Sequence, residues 1–223
     1  MNANREFWNE QQHKLRALLL HSEQRAAAID LFLAQHAMVH SAIMAPGHPW
    51  SFEDEVLEGL TEAQIRRMSQ RKEQSIAWAL WHIARTEDVT MNLLLAASPQ
   101  VFDIGNWGEH LHITRRDIGT AMHGAAIAEL SDQIDIPALH GYRVAVGRRT
   151  QEIVTQLLLH ELRQPVEAER LQAVVAQGAL VEDAYEVKAY WGRHPKANLL
   201  LMPATRHPFT HLNEALRLRK KWS

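Results

Sequence analysis

The sequence predicts an all-α protein, a four-helix bundle with extra short helices and one long central loop. Three observations carry that expectation. Apolar residues recur at three- and four-residue spacing over long stretches, helix-start and helix-stop residues punctuate those stretches, and no alternating Val/Ile/Thr run claims a strand. With 223 residues, 46% hydrophobic and 22% charged, the chain can bury a substantial core, and the expectation is one domain over residues 1–223.

The elements follow in order. Ser22, followed by Glu23, Gln24 and Arg25, reads as a helix start; Ile29, Phe32, Leu33, Val39 and Ile43 continue at helical spacing until Pro46 and Gly47 stop the pattern. After the acidic stretch 51–59, Thr61 with Gln64 three positions later makes a capping-box signature. It opens a second long helix, running to about Ala97 and Pro99. Residues 101–124 are rich in Gly, Asn, Asp and His without a sustained period, and read as a long loop with room for one short helix or extended piece. Residues 127–133 make a short helix, and Pro137 fits the first turn of a third long one reaching about Leu162. The stripe Val146, Thr150, Ile153, Leu157, His160 supports it. Another helix covers 166–177 and ends at Gly178, while 185–191 fits a helix or a connector. From Lys196 to the C-terminus runs a fourth long helical segment, interrupted by Pro203 and Pro208.

Composition narrows the function. The N-terminal stretch MNANREFWNEQQHK is polar and lacks the apolar centre of a signal peptide, so a soluble, cytoplasmic protein without a membrane partner is expected. A formal charge of −2 supplies no global field for nucleic acid. The basic stretches Arg66, Arg67, Arg71, Lys72 and Arg217, Arg219, Lys220, Lys221 lack the interleaved aromatics of a nucleic-acid surface. No phosphate loop, dinucleotide fingerprint or nucleophile elbow occurs. The expected partner is therefore a small-molecule substrate, and so apolar a bundle can also form a homodimer through an exposed helix face. With no cysteine, histidines and carboxylates are the metal ligands available, and any thiol must be borrowed.

The chain has 14 histidines, and their positions matter more than their number. On a helix, His207 and His211 differ by about 40° and ~6 Å of rise, so both imidazoles can reach one ion, and Glu214 lies on the same stripe. Pro208 favours His207 as the N-cap of the last helix. The plain alternative for this pair is a solvated helix start. His82 sits in IAWALWHIA, apolar on all sides, and a buried imidazole needs partners. It is either a ligand or a core histidine bonded to a neighbouring helix. Ser75, Ala79, Thr86 and Thr90 share its face and are small, leaving room beside it. Glu87 falls about 140° around the helix from His82 and belongs to packing, an ion pair or a neighbouring helix. His36 and His40 form a second HxxxH on the stripe of Phe32, Val39 and Ile43, either lining the same cavity or bonding across helices. His160 is a weaker member of this set, and His110 and His112 either reach over a site or are exposed.

Together, "WALWHIARTED" on the second long helix, a variable middle and a closing "RHPFTHLNEALRLR" resemble the DinB/YfiT-like superfamily of four-helix-bundle metalloenzymes, from helix two to the end. The resemblance implies that His82, His207 and His211 bind a divalent metal and that Glu214 orients a ligand histidine. Three neutral imidazoles suit Zn²⁺, Ni²⁺ or Fe²⁺ and leave a coordination position open for water or a thiolate. The activities implied are thiol-dependent S-transfer or isomerisation, with a low-molecular-weight thiol as co-substrate, or hydrolysis. His40, with His36, is expected to close the pocket and join the catalytic set beside Glu214. The rival expectation is a non-catalytic helical module of stress response that binds a metal or ligand without turnover.

Overall fold

The structure is a computed structural model that describes residues 3–21, 23–47, 50–70 and 73–222. Among these the protein is all-α, with no strand. In chain order the helices are α1 (Ala3–His21), α2 (Arg25–Met38), α3 (Phe52–Leu57), α4 (Glu62–Arg66), α5 (Ile76–Asp88), α6 (Val101–Ile104), α7 (Trp107–His110), α8 (Gly124–Gln133), α9 (Ile136–Gln156), α10 (Leu159–Leu162), α11 (Ala168–Ala176), α12 (Tyr185–Arg193), α13 (Ala197–Leu201) and α14 (His207–Trp222). Two wider, π-helical segments adjoin them. Val89–Ala96 prolongs α5, and Met202–Arg206 joins α13 to α14.

Helix α5 is central because its residues are apolar or paired all the way round. Every residue from Ile76 to Asp88 is buried. It packs against α9 and α14, while α2 packs against α1, α9 and the π-segment before α14. Each large apolar side chain removed from water here, such as Trp81, Phe32 or Leu80, contributes about 1.5–3 kcal/mol. The buried polar groups fix registers. Arg85 donates to Asp88, Tyr142, Gln100 and the Arg116 carbonyl, and Asp88 accepts from the backbone N–H groups of Val101 and Phe102 at the start of α6. Residues 101–118 are thereby tied to α5.

Several boundaries differ from those expected, each for an identifiable reason. Helix α1 went unread because its buried residues, Trp8, Leu15 and Leu19, are sparse in a polar stretch, although they fall on one face. The first long helix stops at Met38 rather than Pro46, because the carbonyls beyond it take other partners. Val39 O accepts from Arg143, and His40 O accepts from Ser51 Oγ. The second is not continuous. The Thr61–Gln64 capping box forms as expected, but Arg67 is extended and a new helix begins at Ser75, whose hydroxyl caps Trp78 N. The third ends at Gln156, where Arg25 takes the carbonyls of Thr155 and Leu157, and α10 follows separately. Residues 101–124 hold two short helices and the start of α8. Residues 185–191 are helical, within α12. Ser22, the expected helix start, and Arg71 and Lys72 of the basic stretch lie outside the described residues.

His207 is not an N-cap. Its dihedrals are helical (φ −64°, ψ −51°), and Pro208 is the second residue of α14. Proline lacks the N–H and its ring presses on the carbonyl four residues earlier, so a regular helix would break here. The wider turn at Met202–Arg206 relieves that contact and carries the helix through.

Candidate functional site

Three imidazoles from distant parts of the chain converge between α5 and α14. Ring centroids lie 4.8 Å apart for His82 and His207, 5.0 Å for His82 and His211, and 4.6 Å for His207 and His211. The rings stand at 72°, 79° and 77° to one another. One nitrogen from each falls within 4.8 Å of the others. This is the set expected from sequence, with the i,i+4 pair on α14 facing the single histidine of α5.

The surroundings orient each ring. His82 Nδ1 donates to the Ile118 carbonyl, which fixes the tautomer and leaves the Nε2 lone pair pointing at His207 Nε2, 3.1 Å away. Trp78 stacks parallel to His82 at 4.9 Å and closes its other face. Burial pushes the His82 imidazole down to about 3, with His211 adding to the effect. Burial likewise holds His207 well below the usual histidine range, with His82 and His211 contributing. Glu214 Oε2 lies 3.7 Å from His211 Nδ1, one turn along α14, in place to orient that ring.

The residues fit a divalent ion. Neighbouring ligands on a tetrahedral centre with bonds of 2.0–2.1 Å are separated by about 3.3 Å, and the His82–His207 nitrogens are 3.1 Å apart. His207 Nδ1 is buried with no hydrogen-bond partner, so no neighbour fixes the tautomer of this ring, whose Nε2 faces His82. Beside the histidines lies a cavity of about 700 Å³ that opens on His82 and His207. Its wall is mainly apolar, from Ile118, Val187, Tyr190, Trp191, Met202 and Pro203, with Thr86 close to His82 and Glu186 and Arg193 at its edge. An open position beside three imidazoles suits catalysis rather than structural binding.

Sequence reasoning missed the α12 wall. The signal was the aromatic content of 185–191, a stretch read as either a helix or a connector and given no role at the site. It also missed Ile118, whose contribution is a backbone carbonyl and so has no side-chain signature. Of the small residues near His82, Thr86 lines the cavity, whereas Ser75 caps α5 and bonds Ser131. His110, His112 and His160 are exposed and stand apart from the site.

The expectation that His40, with His36, closes this pocket is corrected. Both rings are completely buried and bonded to Glu87, His36 Nε2 at 2.7 Å from Oε1 and His40 Nε2 at 3.0 Å from Oε2. Thr150 Oγ1 donates to Oε1 at 2.7 Å. The physical reason is angular. Glu87 leaves α5 on a different face from His82, and α2 meets that face. Burial opposes charge on Glu87, but the His40 and His36 rings outweigh it and hold the carboxyl well below the usual range. Gly147 permits the close approach, because a Cβ there would lie 2.9 Å from His40 Nδ1 and 2.7 Å from Met44 Cγ. Gly147→Ala gains at most about 1 kcal/mol of helix propensity against about 1–3 kcal/mol of overpacking. Urea denaturation is therefore expected to show net destabilisation; a more stable variant would mean that His40 can move at no cost.

No helix among the described residues is long and apolar enough to cross a membrane. No curated protein matches the chain. A sequence model of the DinB superfamily matches residues 54–197, a span that contains His82 and Glu87 and ends before His207 and His211. That match covers well over half of the 223 residues, and the chain belongs to the DinB superfamily.

Proposed function

We propose that the protein is a divalent-metal-dependent enzyme acting on a small molecule, with His82, His207 and His211 as the metal ligands. The observation that supports this most is the meeting of three imidazoles beside a 700 Å³ cavity that two of them, His82 and His207, line. When bound, a Zn²⁺, Ni²⁺ or Fe²⁺ ion supplies a Lewis-acidic centre that lowers the pKa of a bound water or thiol. The protein's own groups do the rest. The Ile118 carbonyl keeps the His82 proton on Nδ1, Trp78 holds the ring plane, and Glu214 steadies His211. The apolar wall from α12 and the Met202–Pro203 turn excludes water from one side of the substrate. S-transfer or isomerisation with a low-molecular-weight thiol, and hydrolysis, are the reaction types this arrangement serves.

The test is elemental analysis of purified protein, followed by thiol-transfer and ester-hydrolysis assays before and after chelation. Bound metal, and turnover that disappears on chelation and returns with one of the three ions, is the expected result. Bound metal without turnover in either assay class would favour a non-catalytic binding module. Turnover indifferent to complete metal removal would overturn the proposal.

A further inference from the structure

On a different face of α5, the cluster around Glu87 has the composition of a second metal site. We propose that His36, His40 and Glu87 bind a divalent cation in a closed, structural site that fastens α2 to α5 and α9. This goes beyond the function proposed above and shares no ligand with it.

Charge bookkeeping is the first argument. Among the described residues four acidic side chains are buried, Glu53, Glu87, Asp88 and Asp117, the last of them paired with Arg115 at 2.8 Å. Glu53 pairs with Arg143 at 2.6 Å, and Asp88 pairs with Arg85 at 3.1 Å. Among the described residues, Glu87 has no guanidinium or ammonium within ion-pair distance; its neighbours are two imidazoles and the Thr150 hydroxyl. A buried carboxylate requires a compensating positive charge, and a coordinated cation supplies it.

Geometry is the second. Two imidazoles and one carboxylate form a donor set that binds Zn²⁺ and similar first-row ions. The donor atoms lie within 4.8 Å of one another, with nitrogen–oxygen separations of 2.7 and 3.0 Å. Neighbouring ligands on an ion with 2.0–2.1 Å bonds are about 2.9–3.4 Å apart, so small shifts admit one. Each Nε2 here donates to Glu87, and an ion takes the place of that bond by accepting the Nε2 lone pair while the ring proton moves to Nδ1, which is buried with no other partner. All three residues are fully buried, and the Thr150 hydroxyl stands 2.7 Å from Glu87 Oε1. Because all three ligands are fully buried, such an ion enters during folding and leaves only on unfolding, as a structural ion does.

Elemental analysis of protein folded in the presence of Zn²⁺ tests the proposal, with circular dichroism to verify folding. Wild type is expected to hold two equivalents, the His82→Ala/His211→Ala variant one, and the same variant carrying Glu87→Gln none. The isosteric Gln keeps the cavity filled. In the double variant, unfolding in chelator and refolding without metal should lower Tm, and refolding with Zn²⁺ should restore it. One equivalent in wild type and none in the folded double variant overturns the second site while leaving the three-histidine reading intact. One equivalent in both, lost with Glu87→Gln, supports the second site and removes the three-histidine reading. An equivalent retained in the triple variant overturns the ligand assignment, and no zinc in wild type overturns the second site.

Discussion

Replacing His211 with alanine is expected to weaken metal binding at the three-imidazole centre by a factor on the order of 100 or more, with little change in fold. Removing groups that merely orient a ligand costs roughly 10- to 100-fold, and His211 is proposed as a ligand itself. Its ring sits 4.6 Å from that of His207 and 5.0 Å from that of His82, so no other described histidine can take its place in the set. The side chain is mostly buried, with 16% of its surface exposed, so the truncation also removes some packing and circular dichroism should accompany the titration. Glu214→Ala should fall in the lower range, about 10-fold, because it removes only the carboxylate 3.7 Å from His211 Nδ1. Competition titration against a chromophoric chelator measures both, and equal affinity in wild type and His211→Ala would take the ion away from this centre.

Arg143→Met should be the most destabilising change outside that centre, lowering the unfolding free energy by about 3–5 kcal/mol at neutral pH. Arg143 reaches Glu53 Oε2 through Nε at 2.9 Å and Nη2 at 2.6 Å, and also donates to the Val39 carbonyl that ends α2. Methionine fills similar space but strands a buried carboxylate. The loss should depend on pH. Burial works against charge on Glu53, but Arg143 leads the groups that overcome it and hold its pKa down at about 2, below the ordinary 4.5. The stabilisation from that depressed pKa is complete above 4.5 and disappears as pH falls towards 2. In the variant burial acts unopposed by Arg143, so protonation relieves strain instead of adding it. The gap between wild type and variant, measured by urea denaturation, should therefore narrow from pH 7 to pH 3. A gap constant across that range would show that Arg143 acts through packing alone.

What was legible in the sequence was what depends on local spacing. The Thr61–Gln64 capping box, Pro137 in the first turn of α9 and Gly178 after α11 all sit where their backbone chemistry requires. The HxxxH spacing put His207 and His211 on one face, and an all-round apolar segment buried His82. Illegible were the effects of groups remote in sequence. Arg25, Ser51 and Arg143 take backbone carbonyls that would otherwise prolong helices, and nothing near positions 39 or 157 signals it. The spacing of His36 and His40 left two readings, lining the cavity or bonding across helices, and the second holds, because a periodicity tells which face a side chain occupies and not which neighbour meets it. Glu87 is that neighbour.

The wide turn at Met202–Arg206 has a consequence for how this protein tolerates insertions and deletions. A π-turn holds one residue more than the α-turn it replaces, so it works as an adjustable phase between two rods. A π-turn and an α-turn close the same 360°, so deleting one residue there turns the wide turn into an ordinary one and leaves α14 in phase, with His207 and His211 still facing α5. The same deletion inside α14, between the two histidines, has no such slack to draw on and rotates everything after it by about 100°, parting His211 from His207.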